Sequence, residues 1–350
     1  FSTWMPLSKV KAVSHSGDPI FETKISNTSI GSLSAQAMYE SPGTLIELST
    51  AVSEAYRVWI EDQRNKLENL ETEFVEQAKV NLDRCEQASH RILEGIEYLK
   101  NHSDALKAFQ LANLVMRIQR SWGEGQQDWR TPGRKDLVWR PFQLAFTLMC
   151  LASSSERGHP DRNVFDLIWF PTGGGKTEAY LLLSAYVLFL RRMRNTAHQA
   201  EGLSVMMRYT LRTLTVQQYE RAATMIAACE VIRSEKYSDI LGSTRFSIGL
   251  WVGSASTPNK LSDAYTSLNE EANPTSTPAQ IKRCPRCRSA IKWKSSAPSN
   301  HVSVSCVDET CSSSYPFNDL PFFTVDEQIY AEVPSLLIGT VDKFAQIVRK

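Results

Sequence analysis

Apolar residues recur at steps of three and four along one stretch: Leu67, Leu70, Phe74, Ala78, Leu82, Cys85, Ala88, Ile92, Ile96 and Leu99. That spacing places them on a single stripe with Glu, Lys and Arg opposite, and predicts one amphipathic helix of roughly 50 Å. No proline falls between Pro42 and Pro132, and Gly95 is the single glycine between Gly43 and Gly123. The following ALKAFQLANLVMRIQRSW (105–122) predicts a second helix packed nearby. The charges beside the stripe are too irregular for a coiled-coil pairing code. Residues 46–125 therefore read as a helical accessory domain. Residues 1–45, rich in Ser, Thr and Gly with short β-prone runs such as FETKIS, form a poorly defined N-terminal segment.

After the linker GEGQQDWRTPGRK (123–135) the pattern changes. Short β-branched or aromatic runs alternate with helical ones: VFDLIWF (164–170) before TEAYLLLSAYVLFLRR, and LSVMMRY (203–209) before VQQYERAATMIAACEVIR. FSIGLWVG (246–253) follows, and then SLLIGT (335–340) before VDKFAQIVRK. Such alternation predicts an α/β domain over 126–350, a parallel sheet with helices on both faces. A ligand is expected at the carboxyl ends of its strands.

The glycine-rich FPTGGGKT (170–177) falls at such an end, between a predicted strand and a predicted helix. Backbone N–H groups can converge there on phosphate oxygens, aided by the positive end of the helix dipole. Lys176 is expected to reach the β- and γ-phosphates of ATP, and the Thr177 hydroxyl to hold Mg²⁺. Pro171, Thr172, Gly173, Gly174, Gly175 and Glu178 complete the expected nucleotide-binding turn. Phe170 stands where the common phosphate-loop pattern has glycine. Upstream, VWRPFQLAFTLM (138–149) groups Arg140, Pro141 and Gln143. An amide such as that of Gln143 can donate to and accept from an adenine edge. The same residues also suit an ordinary helix start with proline in its first turn.

Four of the seven cysteines cluster as Cys284-x2-Cys287 and Cys306-x4-Cys311. Two such knuckles predict a structural Zn²⁺ site in a zinc-ribbon insertion over about residues 278–318. Disulfides or free thiols are the competing readings, and His301 reads as a surface residue. Lys282, Arg283, Arg286, Arg288, Lys292 and Lys294 make this insertion locally basic. That patch suits DNA, an acidic protein face, or solvent alone. Cys85, Cys150 and Cys229 sit in apolar helical patterns and read as core.

Composition adds little. The 350 residues are 42% hydrophobic and 22% charged, with a net charge of +1, as in an ordinary globular protein. The longest apolar run, AYLLLSAYVLFL (179–190), is too short to cross a bilayer. A cytoplasmic protein is expected. The start at Phe1, without the order of a signal peptide, reads as an excised piece.

R-P-x-Q followed by x-P-T-G-x-G-K-T resembles the first motor domain of superfamily 2 helicases. The phrases FPTGGGKTEAY, RYTLRTLTVQQYERA and IGTVDKFAQI resemble, more narrowly, DrmA-type helicase subunits of the DISARM phage-defence system. The resemblance runs from about residue 105 to the end. It implies a RecA-like P-loop NTPase fold and an ATP-dependent helicase or translocase. It further implies DNA, single-stranded and held through its backbone, as the substrate, and a DrmB-type partner protein.

By the same resemblance, Arg208, Thr210, Arg212 and Gln217 occupy one nucleic-acid-contact motif. Gly339, Thr340 and Lys343 occupy another. Asp326-Glu327 precedes that second motif and so stands in the wrong order for the acidic box of such motors. The Mg²⁺-binding Asp and the catalytic Glu are expected beyond Lys350, and the piece alone is expected to be inactive. A nucleic-acid-binding scaffold, whose ATPase is a loading switch without unwinding, remains the alternative.

Overall fold

The computed structural model describes residues 18–168, 174–195, 197–210, 212–270, 274–298 and 300–347, without the side chains of 197, 198, 212–214, 346 and 347. The chain opens with α1 (Pro19–Ser26), α2 (Ala35–Glu40) and α3 (Pro42–Asn65). Each begins on a side-chain cap. Asp18 accepts from the amides of Ile20 and Phe21, Ser34 from that of Ala37, and Ser41 from that of Thr44. The segment before residue 46 thus holds two helices and the start of a third, and its β-prone run FETKIS is helical, within α1.

The expected 50 Å helix is shorter. A 3-10 turn at Lys66–Asn69 contains Leu67, and Leu70 is extended, so α4 runs over Thr72–Asn101. Its first turns are uncovered, with Phe74 52% exposed, whereas Leu82, Ile92, Ile96 and Leu99 are buried. Only the second half of the stripe packs. There Gly95 lets α4 approach the next layer closely, because a Cβ on it would lie 2.0 Å from the Leu148 carbonyl oxygen. The central α5 (Ser103–Gly123) is buried along most of its length. It packs against α2, α4 and a later helix, α7 (Lys176–Arg194), while α6 (Pro141–Ser155) packs on α4 and α7.

Beyond these come α8 (Ala197–Ala200), β1 (Val205–Tyr209), α9 (Arg212–Lys236), α10 (Ser238–Leu241), β2 (Ile248–Trp251) and α11 (Leu261–Asn269). An antiparallel hairpin, β3 (Ile291–Lys294) and β4 (Ser303–Cys306), pairs Trp293 with Val304. The chain continues through α12 (Glu309–Ser312), β5 (Phe322–Phe323), α13 (Asp326–Glu332), β6 (Leu336–Thr340) and α14 (Val341–Ile347). Strands β1, β6, β2 and β5, in that spatial order, form one parallel sheet. The fold is therefore mixed α/β, as the alternating pattern predicted.

One predicted strand is not seen among the described residues. Residues 164–168 of VFDLIWF form no strand, Phe165 and Leu167 are 89% and 74% exposed, and 169 and 170 lie outside the described residues. The outer edge of β1 is left unpaired by this run. The run is held by polar contacts instead. Arg91 of α4 forms a bidentate pair with Asp166, at 2.6 and 2.9 Å, and its Nε lies 2.8 Å from Asp161. One continuous apolar core runs from Leu33 to Ile338, through the helical layer and the sheet alike.

Candidate nucleotide and metal sites

Gly174 and Gly175 lead directly into α7. Gly175 is the helix cap with φ +91°, a left-handed conformation that side chains rarely adopt, and a Cβ there would lie 2.6 Å from Gln143 Nε2. The structure brings the two sequence-predicted clusters together at this point. Arg140 Nη1 donates to the Gly174 carbonyl at 2.7 Å, and Gln143 Nε2 donates to the Gly175 carbonyl at 2.7 Å. Gln143 Oε1 accepts from the Arg140 amide at 2.9 Å, capping the start of α6. Both ends of the buried Gln143 amide are thus hydrogen-bonded within the chain, one to the α6 start and one to the glycine turn. Lys176, Thr177 and Glu178, all half-buried, form the first turn of α7. Arg221 of α9 pairs with Glu178. Pro171, Thr172 and Gly173 lie outside the described residues.

Beside this turn opens a cavity of about 610 Å³, the size range of small-molecule sites. Gly175, Glu178, Arg140 and Gln143 line one part of it, and Arg221 and Arg288 reach into it. Arg288 belongs to the cysteine knuckle and has φ +63°.

The four predicted cysteines also converge. Their Sγ atoms all lie within 4.8 Å of one another, with 3.8 Å between Cys284 and Cys311 and 3.4 Å between Cys287 and Cys306. Four thiolates about 2.3 Å from one Zn²⁺ stand roughly 3.8 Å apart, so the set fits a closed tetrahedral site. The Cys311 thiol first, and then the backbone amides of Cys287 and Arg286, pull Cys284 down to about 6. Burial pushes Cys306 up to about 12. The cluster is fastened to the sheet domain through Tyr315, whose hydroxyl donates to Glu230 Oε1 at 2.7 Å. Glu230, fully buried in α9, also takes Arg233 through two nitrogens and the Phe246 amide. Nothing in the sequence pattern marked Glu230, because Phe246 and Tyr315, its partners beyond α9, come from separate segments.

The expected nucleic-acid residues divide. Arg208 and Thr210, at the carboxyl end of β1, and Gln217 on α9 are exposed. Arg212 begins α9, and its side chain lies outside the described set. By contrast Gly339, Thr340 and Lys343 are buried. Gly339 sits where a Cβ would meet the Trp251 carbonyl oxygen at 2.8 Å. Lys343 is ion-paired to Asp326 at 2.5 Å and donates to Asn259 Oδ1 at 3.2 Å. Its ammonium holds α14 against α13, which is a packing role. Asp326 and Glu327 start α13, and Glu327 Oε2 accepts from the Leu261 amide.

No family model matches the chain. No helix among the described residues is long and apolar enough to cross a membrane. The DISARM protein DrmA of Bacillus paralicheniformis is 34% identical over 317 residues, which cover 83% of this chain. The chain spans 28% of that curated relative's length. Over most of its own length, this chain resembles the DISARM protein DrmA.

Proposed function

We propose that this chain is part of an ATP-dependent DNA helicase or translocase of superfamily 2 that acts in DISARM anti-phage defence. Residues 126–350 form a RecA-like motor domain, incomplete here, with a zinc-ribbon insertion over 278–318. The residues before it form a helical accessory layer. ATP lies along the turn from Pro171 to Glu178. Lys176 neutralises charge on the transferring phosphoryl group, and Thr177 holds Mg²⁺. Zn²⁺, held by Cys284, Cys287, Cys306 and Cys311, folds the hairpin and takes no part in hydrolysis. Arg208, Thr210, Arg212 and Gln217 hold the DNA backbone without reading sequence. A DrmB-type protein is the partner.

One observation carries this reading. The side chains of Arg140 and Gln143 clasp the two glycine carbonyls at the amino end of α7, beside a cavity of about 610 Å³. Clasped carbonyls at the amino end of a helix suit a turn that presents its amides to phosphate oxygens. The burial of Gly339, Thr340 and Lys343 favours a second reading. With one expected contact set turned inward, a scaffold that loads on DNA and uses ATP as a switch also fits.

The test is nucleotide binding by this chain and ATP turnover by the full-length protein. Lys176→Ala should lower affinity for a non-hydrolysable ATP analogue at least tenfold and leave zinc content unchanged. Single-stranded DNA should accelerate turnover. Strand separation then selects the motor and its absence the scaffold. Retained nucleotide affinity in Lys176→Ala, or turnover indifferent to DNA, would overturn the proposal.

A further inference from the structure

A second cavity, of about 480 Å³, opens where α2, α5 and the end of α9 meet. It shares no lining residue with the cavity beside the glycine turn. Arg117 of α5 lines it and is 3% exposed. Its Nη1 donates to the Thr131 carbonyl at 3.2 Å, while Nε is buried with no hydrogen-bond partner. Among the described residues no carboxylate pairs with this guanidinium. Arg91 and Arg233, elsewhere in the chain, each have such a partner. Arginine keeps its charge, so an uncompensated one in the interior is costly, and burial draws Arg117 below the usual arginine range.

Glu40, Asp128 and Asp136 lie within electrostatic reach of this guanidinium, but none of them is hydrogen-bonded to it. Lys236 and Arg130 line the same cavity, facing Glu40 and Glu235. Both carboxylates are already engaged. Glu235 accepts from Trp129 Nε1 at 2.7 Å and from Arg130 Nη2 at 2.6 Å, and Glu40 accepts from Gln36 Nε2 at 2.5 Å. Lys236 Nζ lies 3.2 Å from the Tyr39 hydroxyl and over the Tyr39 and Tyr237 rings, with no carboxylate paired to it among the described residues. Three cations thus share the cavity with two occupied carboxylates.

We propose that this cavity is a second anion site, taking the phosphate group of a small molecule between Arg117 and Lys236. The planar guanidinium matches two phosphate oxygens, and the lysine adds a point charge at the rim. A phosphate seated there bridges α5 of the helical layer to α9, the helix that carries Gln217 at its other end.

The experiment uses the chain with Lys176→Ala, which silences the glycine turn, and titrates it with inorganic phosphate by calorimetry and thermal melting. Phosphate should bind and raise the melting temperature, while acetate at equal concentration should not. Arg117→Met in the same background should abolish the phosphate effect. It should also melt higher than its parent without phosphate, because it removes a buried unpaired charge. Should Arg117→Met fail to fold, Lys236→Ala at the rim decides, with an expected loss of affinity of at least fivefold. Absence of phosphate binding in the Lys176→Ala chain would overturn the proposal. So would affinity unchanged by Arg117→Met, or by Lys236→Ala where that variant decides.

Discussion

Lys343 Nζ lies 2.5 Å from Asp326 Oδ2, with the two side chains 9% and 8% exposed. Because α14 follows β6 directly, residue 343 faces inward, over the Trp251 ring at 5.7 Å. Removing one member of a buried pair leaves the other charge stranded. Lys343→Ala should cost about 3–5 kcal/mol in urea unfolding. The double variant Asp326→Leu with Lys343→Met should recover most of that loss. A neutral Lys343→Ala would mean that the lysine faces solvent.

The cysteine cluster should hold one zinc per chain by native mass spectrometry. Cys284→Ser with Cys311→Ser should lose it. A small hairpin has little core of its own, so metal loss should melt it first. Tyr315 then releases Glu230, and hydrogen exchange should rise at the end of α9 as well. Exchange confined to the hairpin would rule out that link.

Gly95→Ala should destabilise the chain by about 1–3 kcal/mol, since the added methyl must displace α6 backbone. Gly158→Ala is the matching control, because nothing lies within 4 Å of a Cβ there. Equal thermal midpoints for the two variants would contradict the close crossing of α4 and α6.

Asp104 supplies a pH dependence. Its hydrogen bond from Arg194 holds its carboxyl below the usual aspartate range, despite partial burial. The folded form therefore protonates at lower pH than the unfolded form, and its contribution is present above the unfolded value of about 3.9. That contribution disappears as pH falls through the folded value. Arg194→Met should lower stability at pH 7 and flatten the fall in stability below about pH 4. An unchanged acid limb would show that Arg194 does not govern Asp104.

Local information in the sequence carried far. The runs at 203–209, 246–253 and 335–340 became β1, β2 and β6 because each is apolar and β-prone within its own length. Cysteine spacing was legible because a metal's geometry constrains the chain between its ligands. What failed was non-local. Strand formation at 164–168 needs a neighbour, and periodicity cannot supply one. The Gln143 amide looked available to a base, yet Gly175, 32 residues away, takes it. Lys343, expected in a nucleic-acid-contact motif, is buried against Asp326, 17 residues back. β5 is only two residues long, too short to alternate.

Arg91 gives the helical layer a mechanical meaning. Its guanidinium moors Asp161 and Asp166, on the stretch of chain that continues toward Gly174. A shift of the long arm of α4 is therefore shared with residues 161–166.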